Sequence, residues 1–161
     1  MDPMHALIEI EAIKQLKGRY QRGVDTKDWA LLKTVFSEDA RSVYNAGKHA
    51  FGDRDAIINF LKSSLGSPNI QTMHHAHTPE IEITSDTTAT GTWYLEDFVL
   101  TALPSDTTPN GTVLHGTGIY HDEYVKVDGE WKISLTGYDR IFQDIQPRAE
   151  GSRLSSRWDK E

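Results

Sequence analysis

Three histidines stand within four residues in the stretch "MHHAHTPEI" and are the first candidates for chemistry. An imidazole titrates near physiological pH, so it can move protons, and it can also bind a metal. Side chains alternate between the two faces of a strand, which places His74 on one face and both His75 and His77 on the other. Such a His-x-His pair needs a third or fourth ligand to hold a metal. His115 or His121 could supply one, but no spacing in the sequence indicates that they do, so we expect no metal.

The stretch "TWYLEDFVL" places a carboxylate among apolar residues. Strand alternation puts Asp97 on the same face as Trp93, Leu95 and Val99. A buried carboxylate there needs a cationic or hydrogen-bonding partner, or its pKa is raised. A solvated face that carries large apolar residues fits the pattern as well, and the sequence leaves both interpretations open.

An arginine lies between aromatic residues near the end of the last predicted strand. The apolar face that begins at Trp131 changes parity before Tyr138 and Arg140. Gly137 lies at the change, and a glycine inside a strand often marks a bulge. With such a bulge, Tyr138 and Arg140 turn inward, where Arg140 can pair with a carboxylate or a substrate anion. A structural arginine stacked on Tyr138 is the alternative.

A tyrosine and an aspartate stand five residues apart at the end of the first predicted helix. Tyr20 closes the apolar stripe of that helix and is therefore expected to face inward. Asp25 fits the N-cap of the next helix. It can equally accept a hydrogen bond from one ring nitrogen of a histidine and leave the other nitrogen to shuttle a proton. The sequence alone does not choose between these roles.

Three helices are predicted ahead of the four long strands, and a short hairpin lies between the second and the third helix. The first has apolar residues at steps of three and four, namely Leu7, Ile10, Ile13, Leu16 and Tyr20. The second is capped by Asp25 or Thr26 and runs through Phe36. The third is N-capped by Asp53 and ends at Gly66.

The rest of the pattern has the period of two that is typical of strands. A short hairpin is expected within "RSVYNAGKHAFG", with its turn at residues 45–47. Four long antiparallel strands are predicted at 71–84, 88–103, 113–127 and 130–145. This order predicts an α+β domain with helices packed on one face of a curved sheet, which would enclose a conical small-molecule pocket. We expect one domain over residues 1–145 and a polar tail over 146–161.

Composition excludes several classes of function. The 161 residues contain no cysteine, so disulfides, thiol nucleophiles and zinc–thiolate sites are ruled out. The net charge of −7 opposes binding to nucleic acid or to anionic membranes. No apolar run approaches the ~20 residues of a membrane span, and the first residues lack the pattern of a signal peptide. A cytoplasmic protein is expected.

Four blocks together resemble a known superfamily: "IEAIKQLKGRYQRGVD", "MHHAHTPEIEIT", "TTATGTWYLED" and "DGEWKISLTGYDRIF". They are similar to the SnoaL-like branch of the nuclear transport factor 2-like superfamily. Within it they look most like the bile-acid 7α-dehydratases, with the scytalone dehydratases more distant. The resemblance covers residues 8–145 and implies a cone-shaped, cystatin-like α+β barrel, with a curved antiparallel or mixed sheet wrapped around N-terminal helices.

The resemblance also implies a catalytic set. The active-site tyrosine and aspartate of the dehydratases fall on Tyr20 and Asp25, and the catalytic histidine falls on His74. The pocket aspartate and the arginine of the last strand fall on Asp97 and Arg140. His74 would act as acid and base, Tyr20 would stabilise enolate charge, and the Asp97–Arg140 pair would place the substrate or assist the leaving group.

Further residues are expected to contact the substrate, namely His77, Trp93, His115 and Tyr138. His77 matches a family histidine, but strand parity puts it opposite His74, so it would need a bulge around Ala76. His75 inherits no role.

The function implied is that of a cofactor-independent dehydratase acting on a hydrophobic polycyclic or steroid-like substrate. The loop "PSDTTPNGTVLHG" differs from the bile-acid enzymes, which leaves the substrate open. One alternative is an enzyme like ketosteroid isomerase, in which Asp97 moves the proton. Another is a non-catalytic module that binds a small ligand or assembles. A homo-oligomer, dimer or trimer, is expected to form through the outer sheet face.

Overall fold

The computed structural model describes residues 2–159. Its helices are α1 (Pro3–Asp25), α2 (Trp29–Val35) and α3 (Arg54–Leu65). An aspartate precedes each helix and accepts a hydrogen bond from the backbone N–H three residues on; these N-caps are Asp2, Asp28 and Asp53. This capping satisfies a donor that has no partner inside the helix. The prediction for Asp53 is therefore confirmed.

Two of the helix predictions are wrong in detail. Asp25 is the last residue of α1 and caps nothing, because the helical hydrogen bonds continue to the backbone N–H of Thr26. Asp28 caps α2 instead, and Phe36 begins a strand. Leu7 is 61% exposed, so the buried stripe of α1 begins further along the chain.

The described residues form six strands, of which the first two precede α3 in the chain: β1 (Phe36–Tyr44), β2 (His49–Phe51), β3 (Ile70–Ile83), β4 (Thr88–Thr101), β5 (Thr112–Val127) and β6 (Glu130–Pro147). They form one curved, open sheet in the order β2-β1-β6-β5-β4-β3. β1 runs parallel to β6, and the other neighbours are antiparallel. The predicted α+β class, the hairpin and the four long strands are confirmed.

A bulge in β6 turns its second half inward, but at a different place from the predicted one. The register with β5 shifts at Ser134, not at Gly137. Tyr138 and Arg140 thereby reach the inner face. Gly137 is needed for a close approach, because a Cβ there would collide with the carbonyl oxygen of Val43 in β1.

A buried polar cluster lies in the core around the carboxylate of Asp122. The Asp122 carboxylate accepts hydrogen bonds from Lys17 Nζ at 2.7 Å and from the hydroxyls of Tyr124 and Thr136, each at 2.8 Å. Burial lowers the pKa of Lys17, and the Asp122 charge opposes that shift. Lys17 Nζ also lies 3.4 Å from the ring centroid of Tyr120. The cluster thus holds Tyr120 in place at the floor of the cone.

The C-terminal residues first extend β6 and then contact Lys27. β6 continues to Pro147, two residues beyond the predicted strand end. The ring of Trp158 then lies against Lys27, with Nζ 4.5 Å from the ring centroid. Between residues 2 and 159, no helix is both long enough and apolar enough to cross a bilayer.

Candidate active site

Asp25 and His74 form a hydrogen-bonded pair where the end of α1 meets β3. Asp25 Oδ1 lies 2.6 Å from His74 Nδ1, and Oδ2 accepts the backbone N–H of His74 at 2.9 Å. The Thr72 hydroxyl donates to Oδ1 at 2.7 Å. Because an ionised carboxylate can only accept, Nδ1 is the nitrogen that donates to Asp25, and in the neutral imidazole Nε2 then keeps its lone pair. This is the arrangement of an oriented general base.

His74 lines a cavity of about 130 Å³ between the helices and the inner sheet face. Four tyrosines and a second histidine share its wall: Tyr20, Tyr44, Tyr120, Tyr138 and His49. Apolar side chains of α1 and α3 complete it, among them Phe60 and Leu65. The cavity is therefore apolar with a few polar groups pointing into it, which is typical of a small-molecule site.

The tyrosines supply protonated hydroxyls. Burial raises the pKa of Tyr20 well above its usual value, and the neighbouring Tyr44 and Tyr120 raise it further. Tyr20 and Tyr44 lie close enough to affect each other's pKa. Within residues 2–159, however, the buried Tyr44 hydroxyl makes no hydrogen bond of regular geometry. A buried hydroxyl without a partner is costly. It is therefore available to a substrate oxygen.

Asp97 and Arg140 form a two-pronged ion pair next to the cavity. Arg140 Nη2 donates to Asp97 Oδ2 at 2.7 Å, and Nη1 donates to Oδ1. Although burial opposes the charged form, hydrogen bonding to Asp97 raises the pKa of Arg140. Gly116 makes room for the pair, because a Cβ there would lie 2.8 Å from Asp97 Oδ1 and collide with Nη1. The guanidinium carbon also lies 4.8 Å from the ring centroid of Tyr138, which links the pair to the cavity wall.

The expectation that His77 reaches the pocket is wrong. β3 pairs with β4 without a break from His74 to His77, so there is no bulge at Ala76. The shift in register comes only after His77, where Thr78 has a φ of 41°. The side chain of His77 therefore lies on the outer face with that of His75.

Two other expected substrate contacts lie elsewhere. His115 is on the outer face, where its ring stacks on Phe98 at a centroid distance of 4.1 Å and Nε2 lies 3.0 Å from Glu96 Oε1. Hydrogen bonding to His115 lowers the pKa of Glu96. Trp93 does face inward, but its Nε1 donates to the Tyr124 hydroxyl at 2.9 Å, deep in the core. These contacts place neither residue in the cavity wall.

Sequence reasoning missed several residues of the cavity wall. Tyr44 was detectable in principle, because it follows the inward parity of Ala40 and Ser42 along β1. His49 and Phe60 gave no comparable signal, since the three-residue strand β2 and the placement of α3 decide where they point. Their rings meet at a centroid distance of 5.1 Å on the rim.

The fold and the cavity define a cone of the nuclear transport factor 2-like superfamily, as the sequence blocks predict. The chain belongs to the SnoaL-like domain family, which matches residues 5–137. The narrower likeness to bile-acid 7α-dehydratases stays a prediction.

Solved structures share the fold at low sequence identity. One is a putative scytalone dehydratase from Novosphingobium aromaticivorans, with a TM-score of 0.75 at 22% identity over 93% of this chain and 97% of that chain. Another is the hexachlorocyclohexane dehydrochlorinase LinA-type3 from Novosphingobium barchaimii, with a TM-score of 0.75 at 17% identity over 95% and 98%. A third is ActVI-ORFA from Streptomyces coelicolor, with a TM-score of 0.67 at 19% identity over 82% and 96%.

Proposed function

We propose that this chain is a cofactor-independent lyase, a dehydratase that removes water from a hydrophobic cyclic substrate. The observation that carries the proposal is the pair in which Asp25 holds His74 Nδ1 and leaves Nε2 as the base at the wall of an apolar cavity. The names of two structural neighbours, a dehydratase and a dehydrochlorinase, both describe eliminations. An elimination needs a base beside a bound apolar substrate, which is what this site offers.

In the proposed reaction, His74 Nε2 removes a proton from a carbon next to a carbonyl. The electron pair of that C–H bond moves to the carbonyl oxygen as an enolate. Tyr20 and Tyr44, which line the cavity, donate hydrogen bonds to this oxygen, where charge develops. The enolate then collapses, the carbon–oxygen bond of the β-hydroxyl breaks, and the His74 imidazolium returns the proton to the departing oxygen as water. The base is thereby regenerated.

In this proposal Asp97 and Arg140 are positioning residues and do not carry the proton. Both prongs of Arg140 engage the Asp97 carboxylate, and Arg140 in turn stacks on Tyr138. A ketosteroid-isomerase-like route would need Asp97 as the proton carrier. Both oxygens of the Asp97 carboxylate are occupied by Arg140, whereas His74 Nε2 has no such partner among the described residues, so the geometry favours His74 over Asp97 as the proton carrier.

The volume of the cavity bears on the substrate class. A cavity of about 130 Å³ is smaller than the roughly 300–1,000 Å³ of pockets for drug-sized ligands. This volume favours a small cyclic substrate, and a polycyclic or steroid-like substrate requires a larger cavity, so a substrate screen should span both sizes.

The test is incubation with hydroxylated cyclic ketones of one to four rings, followed by mass spectrometry for loss of water. His74→Gln should lower turnover of any substrate found by about 10²–10⁴-fold. His121→Gln, an exposed histidine of β5, is the matched control and should leave turnover unchanged. Turnover retained in His74→Gln contradicts the assignment of the base. A product of unchanged mass indicates an isomerase, and substrate that binds but is recovered intact indicates a binding module.

The dimer or trimer expected from the sequence stays a prediction. Among the exposed apolar side chains of β6, Phe142 lies on the outer face beside His115, and more than half of its surface is exposed.

A further inference from the structure

The carboxylate of Glu96 lies among three imidazoles on the outer face of the sheet. The register of β3 and β4 sets His75 directly opposite Glu96, and His77 follows two residues later on the same face. β5 brings His115 alongside, opposite Phe98. Three neighbouring strands therefore bring these four residues together, although they are spread over forty positions of the sequence.

The two oxygens of Glu96 have different neighbours. Oε2 lies 3.7 Å from His75 Nδ1 and 3.5 Å from His77 Nε2. Oε1 lies 3.0 Å from His115 Nε2, which can hold the carboxylate in orientation. One ligand atom from each of His75, His77 and Glu96 lies within 4.8 Å of the other two.

These spacings are close to those around a tetrahedral metal ion. Zinc binds histidine nitrogen and carboxylate oxygen at about 2.0–2.2 Å, which sets neighbouring donor atoms about 3.3 Å apart. The donor atoms here need to draw in by about 1.5 Å at most. The side chains of His75, His77 and Glu96 keep 45%, 51% and 38% of their surface exposed, so they have room to do so.

We propose that His75, His77 and Glu96 form a binding site for a divalent transition-metal ion such as Zn²⁺, with His115 as a positioning residue for Glu96. Two neutral imidazoles and one carboxylate supply the mixed nitrogen and oxygen donors that suit Zn²⁺, Ni²⁺ or Cu²⁺ better than Mg²⁺ or Ca²⁺. Three protein ligands leave a position for water. The site lies on the face opposite His74 and is separate from the proposed elimination chemistry.

The sequence alone argued against a metal, because a His-x-His pair lacked further ligands. The missing ligand is Glu96, which no spacing rule connects to the histidines. Cross-strand pairing supplies it, and pairing of this kind is set by tertiary structure.

The experiment is a titration of untagged protein with Zn²⁺ against a chromophoric chelator at neutral pH. We expect one ion per chain. A double variant, His75→Gln with His77→Gln, should weaken binding by at least about tenfold. His121→Gln removes another exposed histidine outside the cluster and should bind as the wild type does. Mg²⁺ at the same concentrations should not compete.

Three results would overturn the site: wild-type protein without saturable Zn²⁺ binding, equal affinity in the double variant, or equal loss in His121→Gln. His115→Gln tests the positioning role and should lower the affinity by about tenfold with one ion per chain retained. Unchanged affinity in that variant would remove His115 from the proposal. Circular dichroism of each variant checks that the exposed substitutions leave the fold intact.

Discussion

The two faces of β3 and β4 carry the same residue types and use them differently. On the inner face, His74 and Asp97 each have one closely held partner: His74 Nδ1 lies 2.6 Å from Asp25 at the end of α1, and the Asp97 carboxylate is engaged by both prongs of Arg140. On the outer face, Glu96 is shared among three histidines, two of them at 3.5 and 3.7 Å. Glu96 and Asp97 are neighbours on β4, yet Glu96 belongs to the exposed histidine cluster and Asp97 to a buried ion pair.

Burial explains the difference. A buried carboxylate without a partner is costly, so the inner face is populated only by arrangements that satisfy each charge in full. Water satisfies whatever the protein leaves unpaired on the outer face, and its side chains are free to rearrange around a ligand. The inner pairs are therefore suited to holding one geometry, and the outer cluster to accepting a new partner.

The largest expected effect is that of Asp25→Asn on catalysis. An asparagine amide can donate a hydrogen bond to Nδ1, which moves the ring proton to Nε2 and removes the base. We expect turnover of a confirmed substrate to fall by about 10²-fold or more. Asp28→Asn is the matched control, since asparagine caps a helix as well as aspartate does. The downfield proton resonance of His74 Nδ1–H should disappear only in Asp25→Asn, and its persistence would contradict the assigned tautomer.

The next effect in size is that of Arg140→Met on stability. It leaves the Asp97 carboxylate, whose side chain is 4% exposed, without its cation. We expect a loss of about 3 kcal/mol in the free energy of unfolding, measured by urea denaturation. His115→Gln makes the corresponding change on the outer face by removing the closest partner of Glu96, and it should change stability little. Equal losses of unfolding free energy in the two variants would contradict the proposed difference between the inner and outer faces.

The smallest effect concerns the pH dependence of stability. Hydrogen bonding to His115, with further contacts from His77 and His75, holds the pKa of Glu96 below its ordinary value of 4.5. A carboxyl whose pKa is lower in the folded protein stabilises the fold above its unfolded pKa, and this stability is lost as the pH falls through the folded pKa.

The melting temperature of wild-type protein should therefore exceed that of Glu96→Gln slightly at pH 7, and the two should converge well below pH 4.5. Glu82→Gln, at an exposed glutamate of β3 outside the histidine cluster, serves as the comparison. A difference between wild type and Glu96→Gln that persists in acid would mean that the charge of Glu96 is not its source.

Local patterns predicted much of the fold. The long strands lie within two residues of the predicted bounds, because their alternation and the turns between them are local properties. The third helix follows its predicted cap at Asp53. The start of α2 was misplaced, since Asp25 and Asp28 are both good caps by type and only the backbone conformation around Thr26 and Lys27 selects between them.

The candidate site was predicted unevenly. Alternation and the family resemblance together singled out His74, Asp25, Asp97 and Arg140, and the structure brings these four together as two pairs. Trp93, His77 and His115 were assigned to the pocket and do not line it. Trp93 faces inward but lies too deep in the core to line the cavity. The unbroken pairing of β3 with β4 keeps His77 on the outer face.

Composition, periodicity and spacing by themselves determined the order of elements, the alternation of side chains between the two faces of each strand and the type of chemistry available to its polar residues. They did so because helical and strand periods and cap chemistry act between residues close in the chain. The position of the bulge at Ser134, the second wall of the cavity at Tyr44 and His49, and the meeting of Glu96 with three histidines were decided only by tertiary structure. Those contacts join distant strands, and their register depends on the packing of the whole sheet against its helices.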